Sequence, residues 1–207
     1  MKSLVIFCLF IGALSTLVYA NDYEQQEKNI SDEAVKGCKT REEKIQALRH
    51  FVYEHIKPVY GKGVNPNDVM SPIERLNRGV GWCNESAEVF MHLAQYQGIK
   101  TRLLFLTKKG VDLNNMSECM KTSPHSIAEA WDGDRWVIVD TLFDLDMKNK
   151  DGKMASRQDV KKDITLIKNT PAMKARKSDL KLTDEQLEEW LSCYYNPPLL
   201  VGEMNSR

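Results

Sequence analysis

Neither sign of charge is in excess in this sequence. Lys plus Arg and Asp plus Glu each total 29 across 207 residues, so nothing marks a nucleic-acid surface or an acidic tail. Cysteine is scarce, with five in all. That is too few to build a disulfide-stapled scaffold of this length. Internal repeats, heptad arrays, low-complexity blocks and a His-Glu-x-x-His zinc motif are all absent, and no metal or cofactor is expected. Long apolar runs are missing too, with one exception. "MKSLVIFCLFIGALSTLVYA" sets Lys2 before an apolar run and ends on a plausible cleavage point before Asn21, the pattern of a secretory signal. Acidic, polar "NDYEQQEKN" follows, whereas a membrane anchor needs about 20 apolar residues and basic flanks. Residues 1–20 are therefore expected to be removed from an extracytoplasmic protein, periplasmic or secreted, with no stable membrane insertion afterwards.

Residues 21–207 are enough for one domain with a substantial core. Residues 21–39 read as a polar, loose N-terminal arm. Residues 40–146 read as the core domain, and 147–207 as a C-terminal helical extension packed on it. "TREEKIQALRHFVYEHI" is amphipathic, with Thr40 and Glu43 forming a capping box. Ser71 to Glu74 looks like a short helix start, stopped at Gly79. Ala87 to Gln97 continues a helix from Cys83, with Gly98 as its stop. "IKTRLLFLT" reads as a strand, "HSIAEAW" and "RWVIVDT" as a hairpin, and "LTDEQLEEWLSCYY" as a late helix capped by Thr183. Helices come first and strands later, without βαβ alternation. The fold class is α+β.

The chemistry starts at "GVGWCNES". A thiol at a helix N-terminus feels the positive end of the macrodipole, which favours the reactive thiolate. Gly79 and Gly81 are expected to clear space for a substrate backbone. In the hairpin, a two-residue type I′ turn at Asp132-Gly133 pairs Trp131 with Asp134 and sets His125 opposite Asp140. A three-residue loop would oppose His125 to Thr141 instead. A histidine facing an aspartate is held in one tautomer and kept basic enough to take a thiol proton. The other reading of the hairpin alone is an ordinary one with a solvated rim histidine.

These segments resemble the transglutaminase-like superfamily, within the papain-like fold. The resemblance rests on four passages in order: "GWCNESA", "QGIKTRLL", "HSIAEAW" with Glu129, and "RWVIVDT" with Trp136 and Asp140. It covers roughly Lys44 to Asp144. It implies a catalytic triad of Cys83 as nucleophile, His125 as general base and acid, and Asp140 as the orienting carboxylate. It implies attack on an amide of a peptide or protein substrate and a thioester intermediate. Asn84 and Thr141 depart from the animal cross-linking enzymes, and their calcium-binding and β-sandwich domains do not fit this length. Hydrolysis is favoured over cross-linking. The alternatives are an inactive transglutaminase-like binding or scaffold module and a small-amine acyltransferase. The first oxyanion donor is expected to be the Cys83 N–H, the second Tyr60 or Asn77. If Cys83 is a free nucleophile, one disulfide and one spare thiol among Cys38, Cys119 and Cys193 is the simplest arrangement. The aromatic run "EEWLSCYYNPPLL" is expected in the core, or as a wall of the substrate groove.

Overall fold

The computed structural model describes residues 22–59, 68–115, 123, 125–179 and 181–205. The expected signal segment, Tyr60 and Cys119 lie outside these residues. The first element is a helix, α1, over residues 22–34, where a loose arm was expected. Its contact face mixes polar and apolar side chains, which weakens the hydrophobic periodicity. Ile30 and Ala34 pack against the core, but Ser31 and Glu27 are buried beside them. Ser31 Oγ donates to Leu93 O at 2.8 Å, and Glu27 accepts from the Tyr96 hydroxyl at 3.1 Å.

Helix α2 (Arg41–His55) begins as expected, with Glu43 N–H bonded to Thr40 Oγ1 at 3.1 Å and Thr40 N–H to Glu43 Oε2 at 2.9 Å. Strand β1 (Lys57–Pro58) pairs in parallel with β2 (Val80–Gly81), across α3 (Pro72–Arg78). Ser71 caps α3, and Gly79, at φ 70°, closes it in the left-handed conformation. Helix α4 (Cys83–Tyr96) follows, burying Ala87, Phe90 and Ala94.

The main sheet contains β3 (Thr101–Leu106), β4 (His125–Trp131), β5 (Trp136–Val139) and β6 (Leu199–Met204), in the order β5-β4-β3-β6, all neighbours antiparallel. Successive side chains alternate between its faces. Leu103, Ala128, Ala130, Val137 and Val139 join the cluster under α2 and α4. Leu104, Leu106, Ile127 and Ile138 join a second cluster on the other face. With both faces covered, "WVIV" and "RLLFL" show no polar alternation.

The second face is covered by α5 (Arg157–Lys162), α6 (Thr165–Lys168), α7 (Pro171–Asp179), α8 (Asp184–Leu191) and a 3-10 helix, Ser192–Tyr194. The C-terminal segment is thus more than helical, because β6 extends the sheet beside β3. Its sequence signal is weak: it contains Gly202, and Leu200 and Val201 are half exposed. Among the described residues no helix is long and apolar enough to cross a membrane.

Candidate active site

Cys83 is the first residue of α4, and the chain leading to it is tightly held. Lys57 N–H bonds Gly79 O at 3.0 Å, and Val59 N–H bonds Gly81 O at 3.1 Å. A Cβ at Gly81 would lie 2.9 Å from Ile56 Cγ2 and 3.3 Å from Glu85 Oε2. The two glycines therefore answer constraints of the chain itself: Gly79 ends α3 and Gly81 lets two segments approach, although Gly81 also lines the cleft. Trp82 N–H donates to Glu85 Oε2 at 2.9 Å. Buried Glu85 in turn lies 2.7 Å from Arg78 Nη2, a charge contact without aligned hydrogen-bond geometry.

The β4–β5 hairpin differs from expectation in register. Trp131 pairs with Trp136 and Ala128 with Val139. Asp132 N–H bonds Arg135 O at 3.1 Å, so Gly133-Asp134 forms the two-residue tip. The reason is the Asp132 side chain, whose Oδ1 accepts from the N–H groups of Asp134 and Arg135, both at 2.8 Å. Asp132 is thereby fixed before the turn. Gly133 takes a positive φ of 116° at the first central position, where a type II′ turn favours glycine. The register shifts by two residues, so Asp140 continues the ladder toward Ile127 rather than His125. A shift of two preserves the face, and His125 and Asp140 still meet diagonally.

His125 Nε2 lies 2.8 Å from Asp140 Oδ2, with both side chains buried. The other ring nitrogen, Nδ1, is left for the thiol. Cys83 interacts with the His125 ring and with Ser126. Burial opposes ionisation of Cys83, but the hydrogen bonding and charge of His125, aided by Ser126, outweigh it and lower the thiol pKa. For His125, burial disfavours the charged ring; the charge and hydrogen bond of Asp140, with Cys83 beyond, raise its pKa to about 10. Burial likewise pushes Asp140 toward its neutral form, and His125 and Tyr194 pull its pKa below the usual value. Both shifts favour a thiolate–imidazolium pair over the neutral thiol and imidazole. Thr141 ties the two layers together: its Oγ1 donates to Ser86 Oγ at 3.0 Å, and Ser86 Oγ donates to Cys83 O at 3.0 Å.

Cys83 and His125 open onto a cleft of about 170 Å³ whose walls include Val59, Trp82, Leu142, Phe143, Arg176 and Trp190. Trp190 is thus a groove wall, one of two roles expected for the late aromatic run. Tyr194 was missed as a site residue: its hydroxyl donates to Asp140 Oδ2 at 2.6 Å. A Cys-Tyr-Tyr run carries no sign of an aspartate 54 positions away. Asn77, the other expected oxyanion donor, lies on α3 outside the cleft lining. Arg102 and Glu129, both in the resembling passages, are structural. They are cross-strand partners joined at 2.7 Å, with the guanidinium 4.3 Å from the Trp136 ring centre.

Cys38, Cys83 and Cys193 are free thiols. The expectation of one disulfide is not met by Cys38 and Cys193, for a physical reason. Cys38 packs with the α2–α4 cluster and Cys193 is buried in the cluster on the opposite face.

A cysteine at a helix tip beside an antiparallel sheet bearing histidine and aspartate is the arrangement of the papain-like cysteine-dependent enzymes. The family model for the transglutaminase-like superfamily matches residues 28–141, more than half the chain, and the chain belongs to that superfamily. Comparison with curated proteins gives no significant match. Among solved structures, one from Cytophaga hutchinsonii described as a "Putative Cysteine Protease" is similar, with a TM-score of 0.46 and 15% identity. The match covers 63% of this chain and 40% of that one.

Proposed function

We propose that this chain is an exported cysteine enzyme acting on amide bonds of peptides or proteins through Cys83, His125 and Asp140. The observation that carries the reading is a half-buried thiol at the tip of α4, on the cleft, beside an imidazole that a buried carboxylate holds at 2.8 Å; that setting lowers the thiol pKa. The Cys83 sulfur attacks the amide carbon, and its electron pair forms the C–S bond while the carbonyl oxygen takes up negative charge. The Cys83 N–H at the tip of α4 faces that charge. As the tetrahedral species collapses, the imidazolium delivers its Nδ1 proton to the departing amine. Water then attacks the thioester with its proton going to Nδ1, and the carboxylic acid leaves as thiolate is restored. Hydrolysis is favoured because bulk water needs no dedicated subsite. Residues 1–20 serve as the export signal in this reading, and intact-mass measurement of the mature protein should begin at Asn21.

The test is alkylation. In mildly acidic iodoacetamide, Cys83 should label rapidly and selectively, ahead of Cys38 and Cys193. Intact mass should reveal a thioester adduct with reactive peptides. Cys83→Ala should abolish turnover while the fold persists. His125→Ala should be nearly as damaging, and Asp140→Asn less so, because orientation is lost before nucleophilicity. Slow, unselective labelling of Cys83 would reject the enzyme and leave a binding module.

A further inference from the structure

The family match ends at residue 141, yet the carboxylate beside His125 is completed from the far end of the chain. Tyr194 and His125 share one oxygen of Asp140, at 2.6 and 2.8 Å, while Oδ1 takes the backbone N–H groups of Leu142 and Phe143 at 3.0 and 3.1 Å. We propose that Tyr194 is a positioning residue of the acyl-transfer site, its hydroxyl holding Asp140 ionised and oriented toward His125; this rests on the function proposed above.

The hydroxyl is a dependable donor. Burial, then the adjacent Asp140 charge, raise the Tyr194 pKa well above its ordinary value, so the O–H stays protonated. The segment that carries it is also held from behind. Arg157 Nε donates to Tyr194 O at 2.8 Å, and Thr107 Oγ1 donates to Pro197 O at 2.6 Å. Its ring lies 6.1 Å from the His125 ring and 6.1 Å from that of Trp190. The titratable and charged groups facing the Asp140–Tyr194 pair are His125 on β4, Cys83 on α4, Cys193 on the same 3-10 helix and Arg157 on α5. A tyrosine serving only to fill the core needs no carboxylate partner. Here the hydroxyl opposes the burial that drives Asp140 toward its neutral form. Without it, Asp140 takes up a proton at higher pH. A neutral Asp140 no longer supports the imidazolium, so the thiolate–imidazolium pair forms only at higher pH.

Tyr194→Phe removes the hydroxyl and keeps the ring. The rate of Cys83 alkylation by iodoacetamide is followed from acid to neutral pH, with unfolding temperature measured alongside. The acidic limb should move up by about one pH unit, on the order of tenfold slower labelling at its foot, and converge with the wild type near neutrality. Tyr195→Phe should keep the wild-type profile. Incorporating fluorotyrosine, a more acidic phenol of similar shape, into the otherwise wild-type chain should move the limb the opposite way. That arm stands even if Tyr194→Phe does not fold. A Tyr194→Phe profile that overlays the wild type, or that falls equally at all pH with a lower unfolding temperature, overturns the positioning role alone. A wild-type Cys83 that labels no faster than an ordinary thiol overturns the functional reading, and this one with it.

Discussion

Cys193 is buried and Cys83 half-buried at the cleft, and their pKa values shift in opposite directions. Burial dominates at Cys193, and the nearby Asp140 charge adds to it, pushing the pKa to about 12. At Cys83 burial is overcome by the imidazole. Partner chemistry overrides burial at Cys83, and burial prevails at Cys193, where no imidazole stands by. The His125–Asp140 pair sets a pH window for stability. His125 has a raised pKa, so its contribution is complete below its ordinary 6.5 and disappears as pH climbs toward about 10. Asp140 has a lowered pKa, so its contribution is complete above its ordinary 3.8 and disappears in acid. Both are in place between about pH 4 and 6.5. In a Cys83→Ala background, which removes the thiol's own titration, urea midpoints should peak in that window and fall on either side. Adding Asp140→Asn should flatten both limbs; unchanged limbs would show that the pair does not couple to folding.

At the scale of elements, the placement of the Cys83 thiol depends on how α4 is started. Trp82, its N-cap, has no side-chain cap hydrogen bond, and order comes instead from Glu85, the β1–β2 pairing and the close approach at Gly81. Ile56 is buried, so a methyl group at Gly81 meets a neighbour that cannot swing away. Gly81→Ala should cost about 1–3 kcal/mol of stability by overpacking. It should slow Cys83 alkylation more than the stability loss explains, because the strain falls two residues before the thiol. Chemical denaturation and labelling rate, measured on one preparation, check this. An alanine variant that labels like the wild type would show that the α4 start tolerates displacement.

For the whole molecule, the site lies where two layers meet around the end of one sheet. Cys83 comes from the helical layer on one face, while Trp190 and Tyr194 come from the layer on the other. Helix α1 supports the first layer, through Ser31 on the Leu93 carbonyl and through Ile30 and Ala34. Deleting residues 22–34 should therefore remove about 2 kcal/mol or more, roughly 4–8 °C in Tm for a chain of this size. The intact protein should resist proteolysis within α1. Rapid cleavage there, or an unchanged Tm after deletion, would restore the loose arm that polarity alone implied.

Sequence alone determined the features whose causes are local or periodic. These are the capping boxes at Thr40 and Ser71, the glycine stops at Gly79 and Gly98, the apolar face of α4 and the strands around His125 and Asp140. It also put His125 and Asp140 on one face, because an even register shift preserves side-chain direction even when the turn is misplaced. Only the tertiary structure decided the turn itself, where the Asp132 carboxylate chose the tip, and the separation of Cys38 from Cys193 by the sheet. It alone decided that polar α1 is docked, that β6 extends the sheet and that Tyr194 reaches Asp140. Each of these depends on a partner supplied from elsewhere in the chain, and no short-range pattern records where that partner will be.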